Sequence, residues 1–253
     1  MKKSRIKIFV VSLLVMLLNP LGALAITKEN ADSCYRQGNY QQAITIYKAL
    51  LSRNVSSDLY YNLGNSYYRS DSLPQAILCY ERAYRLSPSD ADIKFNLQFA
   101  RSKTIDKMAP EDDNFFEALY RNVVTFTGMD TWAFWSICSI IAALLLMLCY
   151  LFASPLWARK AGFFGSASFL ILFVFSTLFA WQQKYWSSHS SGAIVMSPSI
   201  SVKSAPEDKS QEAFVIHEGT RVDIVDDGFG GWKQVQLGDG REGWIKSGVI
   251  EMI

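Results

Sequence analysis

The sequence predicts a multi-domain membrane protein that combines all-α helical repeats, a two-helix transmembrane hairpin and a small all-β barrel. Three observations predict this architecture. A polar segment near the N-terminus repeats with a period of about 34 residues, which is typical of stacked helical hairpins. Two long apolar runs without charged residues follow in the middle of the chain. The C-terminal part then alternates apolar and polar residues between turn signals, as short strands do.

The composition argues against a nucleic-acid-binding protein and against an enzyme. The 253 residues carry a formal net charge of +2, so the chain lacks the basic charge that typifies nucleic-acid-binding proteins. Only two histidines occur, His189 and His217, and the sequence contains no G-x-S-x-G motif and no P-loop. We therefore expect a protein that is not an enzyme, with no catalytic residues, no metal site and no cofactor.

The cysteines leave two alternatives open. Cys138 and Cys149 fall within the first apolar run, whereas Cys34 and Cys79 lie in the polar part of the chain. No C-x-x-C pair or zinc-ligand spacing is present. Cys34 and Cys79 therefore either form one disulfide or pack separately as small residues in helices.

Residues 1–25 have the pattern of a secretory signal peptide. Lys2 and Lys3 open a basic segment, Ile8 to Leu18 form an apolar run, and an A-x-A site ends at Ala25. The alternative is an uncleaved anchor. Either one delivers residue 26 onward to the far side of a bacterial inner membrane.

Residues 26–107 repeat. Ala43 and Ala76 lie 33 positions apart, and Asn62 recurs as Asn96 after 34 positions. Gly64 is small where two helices of one repeat must approach closely. This pattern resembles the tetratricopeptide family, and the resemblance implies a short module of two helical hairpins with a capping helix.

The resemblance places a partner-binding groove on the first helix of each repeat and on the cap. The matching positions are Lys28, Tyr35, Arg36, Tyr61, Asn65, Tyr68, Arg69, Phe95, Phe99 and Lys103. Asn65 with the cations around it is one candidate for a clamp on a peptide carboxylate. The alternative is that these are ordinary polar surface residues.

Residues 108–130 are predicted to be an acidic linker followed by an amphipathic helix. Phe115, Leu119 and Val123 recur at helical spacing and form an apolar stripe. Because the stripe directly precedes an apolar run, we expect this helix to lie in the membrane interface. Packing on the repeat module is the alternative.

The apolar runs predict a transmembrane hairpin. Residues 131–157 and 162–183 each reach the roughly 20 apolar residues that a helix needs to cross a bilayer. The turn at 158–161 carries Arg159 and Lys160, which predicts that it is cytoplasmic. We therefore expect a two-pass inner-membrane protein whose two soluble domains are both periplasmic.

After a linker at 184–192, residues 193–253 read as short strands separated by turns. The run from Gly240 to Ile245, Gly-Arg-Glu-Gly-Trp-Ile, resembles bacterial SH3 domains. Such barrels bind protein segments or cell-wall peptides, and the resemblance suggests Phe229, Trp232 and Trp244 as groove residues. The two tryptophans are equally compatible with a place in the core.

The order of these parts, together with the run from Phe95 to Lys107, resembles the BatE family, the tetratricopeptide proteins of Bacteroides aerotolerance (Bat) operons. This resemblance implies membrane-anchored von Willebrand A-domain Bat proteins as partners and, indirectly, a MoxR-type ATPase. We therefore expect a membrane adaptor in an envelope-stress complex. The alternative is a cell-wall tether or sensor whose SH3-like domain binds peptidoglycan.

Overall fold

The computed structural model describes residues 27–107, 115–188, 191–228 and 230–253. The predicted signal peptide, the acidic part of the predicted linker and Phe229 lie outside the described residues. Within them, five helices are followed by a short helix, two long helices and a seven-stranded sheet.

The first five helices form the repeat module. They are α1 (Lys28–Arg36), α2 (Tyr40–Leu51), α3 (Ser57–Arg69), α4 (Leu73–Leu86) and α5 (Ala91–Arg101). Each helix packs on the next one in the chain. This all-helical arrangement is the one expected of two helical hairpins followed by a single helix.

Local sequence explains where these helices begin. The Ser56 hydroxyl accepts a hydrogen bond from the main-chain N–H of Leu59, and so caps α3. The Asp90 carboxylate caps α5 in the same way. Pro74 lies in the first turn of α4, where its missing N–H costs no helical hydrogen bond.

Gly64 allows α3 and α4 to approach each other closely, as predicted. A Cβ atom on Gly64 would lie 2.7 Å from Cε1 of the buried Tyr80 ring. Ala43 and Tyr47 pack with Leu63 in the core of the first repeat. Cys79 belongs to the same core, where burial raises the pKa of its thiol to about 12.

Both cysteines of the repeat module are free thiols in the structure. Cys34 is half-buried and Cys79 is buried, which corresponds to the alternative of two separately packed small residues. At neutral pH the Cys79 thiol is protonated, because burial disfavours the thiolate.

The middle of the chain forms α6 (Phe115–Val124), α7 (Met129–Phe152) and α8 (Leu156–Ser188). Helices α7 and α8 are both long and apolar enough to cross a membrane. They pack against each other, while most of their large apolar side chains point outward. The structure therefore contains the predicted pair of apolar helices.

The turn between α7 and α8 differs from the prediction. It consists of residues 153–155, so Arg159 and Lys160 belong to the first turns of α8 and not to a loop at 158–161. Pro155 accounts for the difference, since a proline disfavours helical backbone at the residue before it. Helix α8 also extends to Ser188, beyond the predicted span boundary at 183.

The hairpin is closely packed at its glycines. A Cβ atom on Gly162 would lie 2.7 Å from both the carbonyl oxygen of Leu146 and the main-chain nitrogen of Tyr150. The Ser136 and Thr177 hydroxyl oxygens are 2.8 Å apart across the same interface. Small residues that let two helix backbones meet are typical of membrane helix pairs.

The C-terminal part forms one antiparallel sheet. Its strands are β1 (Gly192–Val195), β2 (Ser199–Lys203), β3 (Glu212–His217), β4 (Arg221–Asp226), β5 (Trp232–Gln236), β6 (Glu242–Lys246) and β7 (Ile250–Met252). A 3₁₀ turn at Ser247–Val249 separates the last two. The strand order is β3-β2-β6-β5-β4-β1-β7. The sheet is not closed, because no pairing joins its outer strands β3 and β7 among the described residues.

The sheet has its own core and also packs on the repeat module. Val195, Val202, Val235 and Ile245 are buried inside the sheet domain. Ile194 instead joins the cluster around Ile77 of α4. We call this contact the junction. The repeat module contributes α4 and the residues after α5, and the sheet contributes β1 and the β3–β4 turn.

Candidate functional site

A pocket of about 320 Å³ opens on the repeat module. It is formed by α1, α3, α4 and α5. The residues that line it are Tyr35, Tyr61, Asn65, Tyr68, Arg69, Tyr80, Asn96 and Phe99. We call it the groove. Most of its wall is aromatic, and its polar groups converge on Asn65.

Hydrogen bonds fix the Asn65 side chain. Its Oδ1 accepts a hydrogen bond from the Tyr80 hydroxyl at 2.7 Å and one from Asn96 Nδ2 at 3.3 Å. Asn96 Nδ2 also donates to the Tyr61 hydroxyl oxygen at 2.7 Å. Because its oxygen is occupied, the Asn65 amide can offer its NH₂ group to a ligand as a donor.

The tyrosines of this network remain neutral at physiological pH. Burial raises the pKa of Tyr80 well above its ordinary value, and burial also raises the pKa of Tyr61. Their hydroxyls therefore act as hydrogen-bonding groups and not as bases. Among the described residues, no group of three or more His, Cys, Asp and Glu side chains is placed to hold a metal ion.

An aromatic surface continues from the groove along α5. The Tyr68 and Phe99 rings are 5.8 Å apart, and the Phe95 and Phe99 rings stack at 6.3 Å. Phe95 is 66% exposed and Phe99 is 42% exposed, although both are large and apolar. Exposed adjacent aromatic rings beside a concave pocket are typical of surfaces that bind other proteins.

Two cations, Lys103 and Arg69, lie at this surface. Lys103 Nζ lies 4.9 Å from the centre of the Phe99 ring, and Arg69 lines the groove itself. Arg36 ends α1 and is exposed. Lys28 is different, since it forms an ion pair at 3.5 Å with Asp58. The groove therefore has an aromatic floor and a basic rim.

The structure brings six of the ten predicted groove residues together. Tyr35, Tyr61, Asn65, Tyr68, Arg69 and Phe99 line one pocket. Phe95 and Lys103 lie beside it against Phe99, whereas Lys28 and Arg36 are outside its lining. The sequence predicted that the six lining residues lie together. That they bind a partner remains a proposal.

Two groove residues were missed. Tyr80 was not among the predicted groove residues, yet its hydroxyl donates a hydrogen bond to Asn65 Oδ1 and orients this side chain. Asn96 was noted only as a repeat of Asn62, although it precedes Phe99 by one helical turn on α5. Helical spacing from Phe99 was the signal that would have found Asn96.

The second predicted site lies on the sheet. Trp232 and Trp244 are half-buried and lie outside the buried core cluster of the sheet domain. Gln234 pairs with Trp244 in the register of β5 and β6, so the two tryptophans are diagonal neighbours on the face opposite Val235. Lys246 Nζ lies 5.5 Å from the Trp232 ring centre. Phe229 lies outside the described residues.

The repeat module has the features of a helical-repeat interaction scaffold. It consists of helical hairpins with a close approach at Gly64 and a further helix, and its groove is lined from α1, α3, α4 and α5. Comparison with known families agrees: residues 29–91 match the family described as tetratricopeptide repeat. The chain therefore contains tetratricopeptide repeats, which generally bind protein partners. No curated protein matches this chain.

Proposed function

We propose that this protein is a non-enzymatic inner-membrane adaptor whose tetratricopeptide groove binds a protein partner on the periplasmic side. The observation that carries the proposal is the groove itself, with an oriented Asn65 between aromatic rings and a basic rim. Its donors and cations suit an acidic or C-terminal peptide segment, and its rings suit an aromatic or aliphatic side chain.

The membrane part of the proposal has two supports. Helices α7 and α8 meet the length and composition of membrane spans. Helix α6 exposes a run of apolar side chains, and its Tyr120 ring contacts the Trp186 ring of α8 at 6.2 Å. An exposed apolar helix beside the end of a span suits the membrane interface.

The junction supports placing both soluble parts on one side of the membrane. The repeat module precedes the hairpin and the sheet follows it, yet Ile77 and Ile194 share one cluster. Two spans return the chain to its starting side, so this contact is compatible with a hairpin. We assign that side to the periplasm because residues 1–25 have the pattern of a signal peptide.

The finer assignment rests on resemblance. We propose that the partner belongs to the membrane-anchored von Willebrand A-domain Bat proteins of the BatE family's operons, and that a MoxR-type ATPase acts indirectly through them. Among the described residues, those near 153–160 would then face the cytoplasm. A cytoplasmic ATPase would then contact the chain very little and would act through other membrane subunits.

Copurification tests this function. The full chain, tagged and extracted from native membranes, should retain a von Willebrand A-domain Bat protein. The double variant Asn65→Ala/Arg69→Glu should lose it, because the variant removes the oriented donor and reverses a charge. Arg53→Glu, an exposed change outside the groove, is the matched control. Equal retention by the two variants would refute the groove as the binding site.

A second candidate function involves the sheet. We propose as the alternative that it is an SH3-like domain that binds peptidoglycan and makes the chain a cell-wall tether or sensor. Trp232 and Trp244 support this, since they lie on an outer face and not in the core. The full chain in detergent should then sediment with purified murein, and Trp232→Ala/Trp244→Ala should not. If the native chain stays in the supernatant, the tether has no support.

A further inference from the structure

A row of aromatic rings leads out of the groove along α5. It begins at Tyr68 of α3 and continues with Phe99 and Phe95 of α5, and we call these three residues the aromatic row. The ring centres are 5.8 Å apart between Tyr68 and Phe99 and 6.3 Å apart between Phe99 and Phe95. The two phenylalanine planes differ by only 10°, and both side chains are exposed. The row is therefore an open apolar ledge that continues the groove.

The length of the row fits an extended peptide. Neighbouring rings are about 6 Å apart, whereas a polyproline II helix advances by about 3.1 Å per residue. Roughly five residues of such a helix would therefore extend from the first ring to the last. One leucine or phenylalanine side chain would leave part of the row in water.

Hydrogen-bond donors lie beside the row. Asn65 Oδ1 already accepts from the Tyr80 hydroxyl and from Asn96 Nδ2. The Asn65 NH₂ group has two N–H bonds, of which the Tyr61 hydroxyl takes at most one. The Tyr61 oxygen accepts from Asn96, which leaves its O–H as a further donor. A ligand on this side of the groove is therefore expected to present acceptors.

Charged groups lie at the rim of the groove and not among these donors. Arg69 is the single charged side chain among the described lining residues. Lys103 lies outside the pocket lining, over the Phe99 ring. A carboxylate buried against neutral donors would lose its hydration at a high cost, whereas an amide carbonyl loses much less. The inside of the groove therefore suits main-chain carbonyls, and acidic side chains suit the rim.

A proline-rich segment combines these properties. Proline has a carbonyl acceptor but no N–H donor, so its main chain matches a set of donors. A polyproline II helix uses no carbonyl internally, so each one can accept a hydrogen bond from a receptor. Its apolar rings pack on aromatic side chains, as in other grooves that take proline-rich segments. The segment is extended before it binds, so less conformational entropy is lost.

We propose that the groove binds an internal, proline-rich segment of its protein partner in the polyproline II conformation. The prolines lie on the aromatic row, and the Asn65 NH₂ group and the Tyr61 hydroxyl donate to main-chain carbonyls of the segment. Acidic residues that flank the prolines meet the basic rim. The inference rests on the proposed function, since it names the kind of segment that the same groove takes.

Fluorescence anisotropy with the full chain in detergent tests this. The probe is a labelled, amidated peptide of six prolines flanked by two glutamates at each end. In the first comparison peptide alternating glycine and serine replace the prolines, and the second is that peptide with a free C-terminal carboxylate. We expect the proline peptide to bind at least about tenfold more tightly than either, because only its rings pack on the aromatic row.

Variants locate the site. Phe95→Ala/Phe99→Ala should weaken binding of the proline peptide by about tenfold or more, since most of the ledge is removed. Asn65→Asp should weaken it by about tenfold, because a donor is replaced by an acceptor. Val55→Ala/Leu86→Ala, which shortens two exposed apolar side chains outside the groove, is the matched control and should bind like the native chain.

The sheet is examined in the same assay. Trp232→Ala/Trp244→Ala should bind the proline peptide normally, and loss of binding in this variant would assign the segment to the sheet and overturn the proposal. Failure of the proline peptide to bind, equal binding of the glycine–serine peptide, or unchanged binding by Phe95→Ala/Phe99→Ala would overturn it as well. Preference for the free carboxylate would overturn it in favour of a clamp on a C-terminus.

Failure of this inference is distinguishable from failure of the adaptor function. If the native chain retains its membrane partner in copurification but does not bind the proline peptide, the class of segment is wrong and the adaptor function stands. If the chain binds the proline peptide through the groove but retains no partner, the adaptor function is wrong and the specificity of the groove stands.

Discussion

The Asp106 carboxylate of the repeat module accepts a hydrogen bond from the main-chain N–H of His217 at 2.6 Å. It also lies 3.0 Å from the His217 Nδ1 and accepts a hydrogen bond from the Thr220 hydroxyl at 2.7 Å. The two residues are 111 positions apart, with both apolar helices between them in the sequence. One carboxylate thus organises the β3–β4 turn of the sheet against the end of the repeat module.

This contact predicts an acid-dependent stability. Burial would raise the pKa of Asp106, but hydrogen bonds from His217 and Thr220 outweigh burial and lower the pKa below its ordinary value. A lowered pKa gives stabilisation that is complete above the unfolded value of about 3.9 and is lost as the pH falls through the folded value. Asp106→Asn should therefore lower the melting temperature at pH 7, and the difference from the native chain should shrink below about pH 4.

Asp58→Asn is the control for this prediction. Asp58 also pairs with a side chain, Lys28, but it is 70% exposed. Exposed ion pairs contribute little to stability, so this variant should melt almost like the native chain at every pH. A pH-independent effect of Asp106→Asn would show that the carboxylate charge does not stabilise the junction.

The close packing around Gly219 provides a second test of the junction. A Cβ atom there would lie 2.8 Å from Thr104 Cγ2 and 3.1 Å from Ile77 Cδ1, both in the repeat module. Gly240 has nearly the same backbone, with φ of +83° against +82°, but open space around it. Gly219→Ala should destabilise the chain by about 1–3 kcal/mol more than Gly240→Ala, because only the first adds a steric clash. Equal destabilisation in denaturant titrations would argue against close packing at the junction.

A substitution at Gly162 tests how closely α7 and α8 pack in the hairpin. Gly162→Val would drive a side chain into the backbone of α7 at Leu146 and Tyr150, and backbone atoms cannot move aside easily. We expect a clear loss of thermal stability in detergent, of the order of 1–3 kcal/mol, from overpacking. Gly128→Val, where no atom lies within 4 Å of the added Cβ, serves as the comparison. If the two variants melt alike, α7 and α8 do not touch at this glycine.

The orientation of the chain gives a fourth prediction. Alkaline phosphatase, which is active only in the periplasm, should be active when fused after Ser188 and inactive when fused after Ser154. The first fusion follows both spans, and the second follows only α7. The opposite pattern of activity would reverse the proposed orientation, and activity at both positions would exclude the hairpin.

Local patterns predicted most of the fold. The repeat period predicted the five helices of the module, and the uncharged runs predicted α7 and α8. The alternation of apolar and polar residues predicted strands β1 to β6. Strand β7 was missed because three residues, Ile250–Met252, are too short to show a period. The predicted position of the turn was wrong because it was based on the charge of Arg159. The observed position follows from Pro155, which disfavours helical backbone at the residue before it.

The contacts between distant parts could not be predicted. Nothing in the sequence around Asp106 indicates that it caps a turn 111 residues away, since that pairing depends on how two folded surfaces fit. A larger cavity of about 740 Å³ was missed for the same reason, because its described lining comes from α4, α5, α6, α8 and β4 and from the residues after α5. In the groove, repeat geometry was enough to find Asn65, but its hydrogen bond with Tyr80 required the packed structure.

Site-specific photocrosslinking shows whether a partner docks in the groove. A photoreactive phenylalanine analogue would replace Tyr68 in the groove or, as control, Gln42, an exposed residue of α2 outside it. In native membranes the analogue at position 68 should crosslink to a von Willebrand A-domain Bat protein, and the crosslink should disappear in the Arg69→Glu background. Equal crosslinking from positions 68 and 42, or none from position 68, would show that the groove is not the docking site.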